Sequence, residues 1–383
     1  MSTLPKLALI PSGYKASKVY SALPTNGDGD FTFSRISNAT RVNKDGLIET
    51  IDSNVPRLDY SDSNCPSLLL EPQRTNLIRH SEVFTNWINT GTAFVSSNDN
   101  VSPDGTLNAS TVSGLTGSGS NNLYFITGEN PASKTYTFSV YLKGEGTLRL
   151  QISNDVDQAI SETVTLTSDW KRYIVTGTFN STLGDLSVVI DDSNANATEY
   201  KVWGAQLEEG NYATSYIPTN GEVGGVTRTV ETCKKENQTI FTDYPFTVYA
   251  KAKIDAVGNT IFSLNNTSSQ NYYLVFYLPT STQVGLLRRD LSNNDSDFYN
   301  FSYSVGDTIK VAVAFVNSTA YKLYINGTEI ANVTSGDSIP FNHDDISLGQ
   351  FRITGDTGTR DPINEFMIFN EVLSDAELIS LTT

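Results

Sequence analysis

Apolar and polar residues alternate in short runs along most of the chain. TYTFSVYLKG (135–144), TLRLQIS (147–153), KRYIVTGTF (171–179), LSVVIDD (186–192) and YKVWGAQLEEG (200–210) each keep a period of two and end at Gly, Asn or Asp. That period places successive side chains on opposite faces and predicts half-buried strands. A second set follows: FTVYAKAKI (246–254), TIFSL (260–264), YYLVFYL (272–278), TIKVAVAFV (308–316), YKLYING (321–327) and NEFMIFN (364–370). In YKLYINGTEIA two alternating runs flank Asn326-Gly327, which predicts a two-residue hairpin turn. Tyr321, Leu323 and Ile325 then share one face, and Lys322 and Tyr324 the other. The helical period surfaces only in the tail, SDAELISL (374–381), where Ser374 and Glu377 have the spacing of a capping box. Strands this numerous and closely spaced predict an all-β protein of tandem β-sandwiches or jelly rolls.

Shifts in pattern divide the chain into three. Residues 1–75 are irregular, with turn-rich stretches such as TNGDGD and NKDG, and read as a small N-terminal segment. Residues 76–220 carry the first strand set. A glycine-rich bridge, TNGEVGGVTRT (219–229), leads into the second set, in residues 221–383.

Composition narrows the function. The chain has 383 residues and a net charge of −16, so it lacks the basic footprint of a nucleic-acid binder and is repelled by anionic membranes. Only 18% of residues are charged, so Ser, Thr, Asn and Gly must cover much of the surface. Cys65 and Cys233 lie far apart and read as two free thiols. With two histidines and no CxxC, a structural zinc site is not expected. No signal peptide and no membrane-spanning run is expected. The Asn-x-Ser/Thr sequons at Asn38, Asn108, Asn180, Asn317 and Asn326 read as by-products of Asn/Thr richness.

One stretch breaks the alternation. In SLLLEPQRTNLI, three leucines meet Glu71, Pro72, Gln73 and Arg74 before the pattern resumes. Pro72 has no N–H to give a ladder, so the strand stops or lies at an edge. Glu71 and Arg74 are expected to pair across the turn as a rigid structural corner.

The surrounding residues carry a resemblance. FTFSRISNATRVNKDGLIE (31–49), VPRLDY (55–60), LLLEPQRTNL (68–77) and SEVFTNW (81–87) resemble a segment of tailed-bacteriophage virion proteins, across roughly residues 30–90. WKRYIVTGTF and VWGAQLEEGNYATSYIPT resemble the end of a carbohydrate-binding-module-like jelly roll. Residues 240–378 resemble a laminin-G/concanavalin-A-like sandwich, with NEFMIFNEVLSDAEL as its last strand and closing helix. The resemblance implies a virion protein whose N-terminal segment contacts other virion proteins. It implies a homotrimer, since fibres are usually trimeric; no heptad pattern supports this independently.

Catalytic signatures are missing: there is no GxSxG, HExxH, Walker loop or GxGxxG after a strand, so no catalytic residue is assigned. His80 reads as a surface residue, and His343, in FNHDD, has no activated nucleophile implied beside it. For metal, RRDLSNNDSDFYN gathers Asp290, Asn293, Asn294, Asp295 and Asp297, oxygen ligands suited to Ca²⁺; a solvated turn is the plainer reading. ITGDTGTRD (353–361) is a second, weaker calcium candidate, and otherwise no cofactor is expected. Sugar binding needs exposed rings beside polar side chains. Trp87, Trp170 and Trp203 are expected in the core. Tyr272, Tyr273, Phe298 and Tyr299 are the better candidates, with ordinary sandwich packing as the alternative. The expected function is thus a non-enzymatic tail- or head-fibre protein in the virion, displaying lectin-like sandwiches to host surface polysaccharide. A capsid decoration or fibre-base protein is the rival, and a polysaccharide depolymerase with paired carboxylates the third reading.

Overall fold

The computed structural model describes residues 3–117, 119, 121–193, 195–266, 272–290, 293–336, 343–350 and 361–383. The protein is nearly all β, as the alternation predicts. Its strands group into two compact units. One comprises residues 1–44, 51–73 and 229–383, and the other residues 45–50 and 74–228.

The second of these units is a sandwich of two five-stranded antiparallel sheets. One sheet runs Ile88–Asn89, Asn122–Ile126, Ser187–Asp191, Thr147–Ser153, Ala159–Thr165. The other runs Phe94–Val101, Leu107–Ser113, Glu199–Glu209, Thr135–Gly144, Lys171–Thr178. Leu148, Leu150 and Ile152 of the first sheet and Phe138, Val140 and Leu142 of the second are wholly buried in one core. Each such side chain contributes about 1.5–3 kcal/mol of burial. Trp87 and Trp203 are buried as expected. Trp170 is not: it is half-buried, its indole N–H donating to the Val101 carbonyl at 2.9 Å.

The other unit is a larger sandwich, and here the expected division at residue 75 is corrected. The eight-stranded sheet is ordered Thr328–Val333, Ala320–Ile325, Thr308–Asn317, Phe246–Lys253, Ile363–Phe369, Ser67–Leu69, Arg57–Asp59, with Leu7–Leu9 also on Ile363–Phe369. The nine-stranded sheet is ordered Tyr14–Lys15, Lys18–Val19, Phe31–Ser34, Thr232–Lys235, Asp345–Leu348, Thr260–Asn265, Tyr272–Thr280, Gln283–Asp290, Asn293–Asn300. Residues 1–75 thus form no separate domain. Leu7, Leu9, Phe31, Phe33, Leu58, Leu68 and Leu70 share one core with Phe246, Phe262, Leu323 and Phe366. The physical reason is sheet extension: Leu7–Leu9, Phe31–Ser34 and Ser67–Leu69 find backbone partners on strands from the far end of the sequence, and the other short strands add on to these.

The two local signals are realised. Asn326 (φ 47°) and Gly327 (φ 78°) both sit in the left-handed region a type I′ turn requires, and Tyr321, Leu323 and Ile325 are buried in the core. Tyr324, on the other face, is buried too, because the helix Asp375–Thr382 lays Leu378 and Leu381 over it. Ser374 and Glu377 form the full capping box.

The break at Glu71 is explained by a buried ionic cluster. Arg57 donates through Nη2 to Glu71 Oε2 at 2.8 Å and through Nε to Glu231 Oε1 at 2.8 Å. Its Nη2 also donates to Glu231 Oε2, and Arg35 Nη1 donates to Glu231 Oε1 at 2.7 Å. The Glu71 N–H donates to Glu231 Oε2 at 2.9 Å, and the Glu231 N–H to the Glu71 carbonyl at 3.1 Å. Arg57 Nη1 and Arg35 Nη2 spend further protons on the carbonyls of Thr40 and Asp52. Two guanidinium and two carboxylate groups balance, so the cluster tolerates burial. Glu71 is therefore held in a buried structural cluster, with Arg57 as one partner. Arg74 lies in the other unit, 3.7 Å from Glu208 and over the Tyr212 ring.

Candidate functional site

In the smaller sandwich the strand pattern builds a polar cleft. Leu148, Leu150 and Ile152 face the core, so Arg149, Gln151 and Ser153 take the opposite face. The same alternation turns Asn122, Tyr124 and Ile126 outward from Leu123 and Phe125, and Val189 and Asp191 outward from Val188 and Ile190. Register stacks them in rows: Asn122, Asp191 and Arg149 in one, Tyr124, Val189 and Gln151 in the next. With Gly119, Ile126 and Asp155 they line a cleft of about 400 Å³, within the range of small-ligand sites.

The cleft's polar groups are held in place. Arg149 Nε donates to both Asp191 oxygens, at 3.1 and 2.9 Å, and Nη2 lies 2.9 Å from Asp191 Oδ2. Asp191 is buried and also accepts the Ser193 N–H at 2.7 Å. Arg149 keeps a third of its side chain exposed, so the pair fixes its plane while leaving donors toward the cleft. Tyr124 and Gln151 are half-buried. A planar ring beside an amide and an immobilised guanidinium offers a sugar what it needs: a flat apolar surface for its C–H face, and donors and acceptors for its hydroxyls.

A second surface lies on the nine-stranded sheet. Val284 and Leu286 face the core, so Gly285 faces away, with Tyr277 and Phe298 as its cross-strand neighbours. A Cβ on Gly285 would overlap the Tyr277 ring, so the missing side chain lets that ring lie on the sheet. Phe298 meets Tyr277 edge-on, centroids 6.1 Å apart, and is 46% exposed. Gln283, Ser296 and Asn300 flank the pair.

Of the residues singled out from sequence, Phe298 falls on this surface. Tyr299 points the other way: its hydroxyl is 2.5 Å from that of Tyr321, beside Asp297 and Arg288, so it is corrected to a packing residue. Tyr272 and Tyr273 lie on the strand Tyr272–Thr280, their side chains outside the described residues. The proposed calcium loop is a hairpin instead, of strands Gln283–Asp290 and Asn293–Asn300. Asp297 there takes Arg288 Nη1 at 2.5 Å and the Tyr321 hydroxyl. Asp295 stands two residues before it on the same strand, and the side chains of Asp290, Asn293 and Asn294 lie outside the described residues. Of ITGDTGTRD only Asp361 is described. Among the described residues, no three or more His, Cys, Asp or Glu are grouped to hold a metal. His80 is half-buried and His343 is buried.

Farther across the same sheet, Ser263, Asn265, Asp345 and Ser347 form a buried polar row. The Asn265 amide donates to Ser263 Oγ at 2.9 Å, but Asp345 Oδ1 has no hydrogen-bond partner. Burial, opposed by Lys234 and reinforced by Glu236 and Asp344, pushes the Asp345 carboxyl up to about 7. Being buried, this row supports the sheet and is closed to a glycan.

Comparison with known proteins agrees with the larger sandwich. Residues 224–379, less than half of the chain, match the laminin-G family model described as the concanavalin A-like lectin/glucanases superfamily. Similar solved structures include the CBM40 of a Ruminococcus gnavus IT-sialidase bound to α2,3 sialyllactose: 21% identity, 37% of this chain and 84% of that one, TM-score 0.32. Domain 4 of AbnA, a GH43 extracellular arabinanase from Geobacillus stearothermophilus in complex with arabinotriose, matches at 16% identity, 40% of this chain and 73% of that one, TM-score 0.33. A leech intramolecular trans-sialidase matches at 19% identity over 37% of this chain and 23% of its own, TM-score 0.32. No curated protein matches the chain. Residues 224–379 are thus similar to a concanavalin A-like model, within an all-β chain.

Proposed function

We propose that this chain is a non-catalytic glycan-binding protein of a tailed-phage virion, a tail or head fibre that holds host surface polysaccharide on its sandwiches. The observation that carries the binding is the cleft of Tyr124, Arg149, Gln151 and Asn122, where a ring and fixed hydrogen-bonding groups converge on a sheet face. The Tyr277–Phe298 pair offers a second, shallower contact. The resemblance of residues 30–90 to phage virion proteins supports the location, and fibres being usually trimeric supports a homotrimer. Single sites of this kind bind weakly. Several copies on one particle raise avidity by roughly 10²–10⁴ without new contacts.

The test is binding of the purified chain to intact host cells, with soluble surface polysaccharide as competitor. The wild type should bind saturably and be displaced. Tyr124→Ala should lose about tenfold or more in affinity while its melting temperature stays unchanged. Absence of binding, even when the chain is multimerised on beads, rejects the glycan reading in favour of a decoration or fibre-base role.

A further inference from the structure

In the cleft of the smaller sandwich one guanidinium meets three carboxylates. Arg149 is the only cation among the described residues lining it. Its Nε and Nη2 edge, which would grip a ligand carboxylate in a two-bonded fork, is already spent on Asp191. Asp192, wholly buried, is held by uncharged donors: the N–H groups of Thr116 and of the lining residue Gly119, each at 2.9 Å, and the Asn121 side-chain amide at 2.6 Å. Asp155 stands exposed on the cleft wall, taking the Ser187 hydroxyl at 2.9 Å. The local charge is therefore negative, on a chain whose net charge is −16.

The polar capacity left unspent is mostly neutral. The side-chain amides of Asn122 and Gln151 and the Tyr124 hydroxyl line the cleft and make no hydrogen bond to any described residue. Each both donates and accepts, as a sugar hydroxyl does. They occupy two adjacent rows of the sheet face, roughly 7 Å apart, the separation of alternate residues along a strand. Val189 and Ile126 add apolar surface beside them. A carboxylate or phosphate group, by contrast, mainly accepts. It would enter against Asp155 and Asp192, with only Arg149 Nη1 left uncommitted to meet it.

We propose that this cleft selects uncharged glycans, of neutral or acetamido sugars, and discriminates against uronic, sialylated and phosphorylated ones. The proposal rests on the reading of the cleft as a glycan site. Recognition comes from the amide and hydroxyl groups of Asn122, Tyr124 and Gln151, while Arg149 and Asp191 hold each other as a rigid, mutually neutralised wall. Charge repulsion reaches about 10 Å at 0.1 M salt, so a carboxylate anywhere on the bound sugar is within its range.

The test is a panel of neutral, acetamido, uronic and sialylated oligosaccharides titrated onto the full chain, each acidic one paired with its carboxyl-reduced form. The tightest binders should be neutral or acetamido members, and carboxyl reduction should strengthen the acidic ones by about tenfold or more. Raising salt from about 20 mM to about 500 mM should leave neutral binding flat and narrow the gap, because the repulsion is screened. Gln151→Ala should weaken neutral binding about fivefold or more while its melting temperature stays unchanged. Asp155→Asn should lower the ratio of neutral to acidic affinity about threefold. An acidic member that binds as tightly as its reduced form, or more tightly, overturns the charge selection and leaves the glycan site standing. Binding that Gln151→Ala does not alter overturns the proposal by placing the sugar elsewhere. No binding by any member, even with the chain multimerised on beads, overturns the glycan reading itself and the selection with it.

Discussion

At the residue scale, the buried charges around Glu231 meet across long stretches of chain. Arg57 meets Glu71, fourteen residues on, and Glu231, far beyond it. Local spacing suggests Arg74 as a partner for Glu71 but cannot reveal Arg57 or Glu231, because proximity along the chain is all a sequence displays. Removing Arg57 should leave two carboxylates buried with one arginine between them. Arg57→Ala is therefore expected to cost about 3–5 kcal/mol in denaturant unfolding. Asp345 makes the opposite prediction. Its carboxyl is raised, so the folded state keeps a proton that the unfolded chain releases near pH 4. Stability from this group is full below about pH 4, falls as pH rises toward 7 and stays low above it. Asp345→Asn should match the wild type at pH 4 and exceed it by on the order of 1–3 kcal/mol at pH 8, read from urea melts at the two pH values.

At the scale of elements, the strands with strong alternation were legible and the weak ones were not. Thr135–Gly144 and Lys171–Thr178 are close to the runs read from sequence, because Phe138, Val140, Tyr173 and Val175 mark the buried face plainly. Phe94–Val101 is rich in Ser and Asn and largely exposed, so it carries no such mark. Site residues followed the same logic. Arg149 and Gln151 were visible as the polar phase of TLRLQIS, yet nothing in that strand says which polar face meets Tyr124 two strands away. Phe298 and Tyr299 look equivalent in sequence; the pleat separates them. Gly285 has a role that shows only once its hairpin is paired. Gly285→Ala should push the Tyr277 ring off the sheet, costing about 1–3 kcal/mol and any glycan contact made there. Unfolding and polysaccharide binding, measured together, separate the two effects. At the tail, Ser374→Ala should cost about 0.5–2 kcal/mol by opening the capping box.

At the scale of the molecule, the all-β class and the two strand sets were readable, and the assignment of residues 1–75 was not. Its strands are two to four residues long, too short for any period. A fragment of residues 221–383 should consequently fold poorly. It lacks Phe31–Ser34 beside Thr232–Lys235, Leu7–Leu9 beside Ile363–Phe369, and both arginines around Glu231. Residues 74–228 have their own core and should fold alone. Circular dichroism and cooperative melting of the two fragments test both statements.

The divided unit also sets an order in time. Arg35, Arg57 and Glu71 leave the ribosome long before Glu231 exists. At about 5–20 residues per second, synthesis of the intervening stretch takes roughly 10–30 s. Throughout that interval the early strands have apolar side chains and open edges but no sheet to join, while the stretch between them can already be folding. The nascent chain is thus most exposed to aggregation before its last third is made. Slowing translation after residue 73 should raise the insoluble fraction, and slowing it after residue 240 should not.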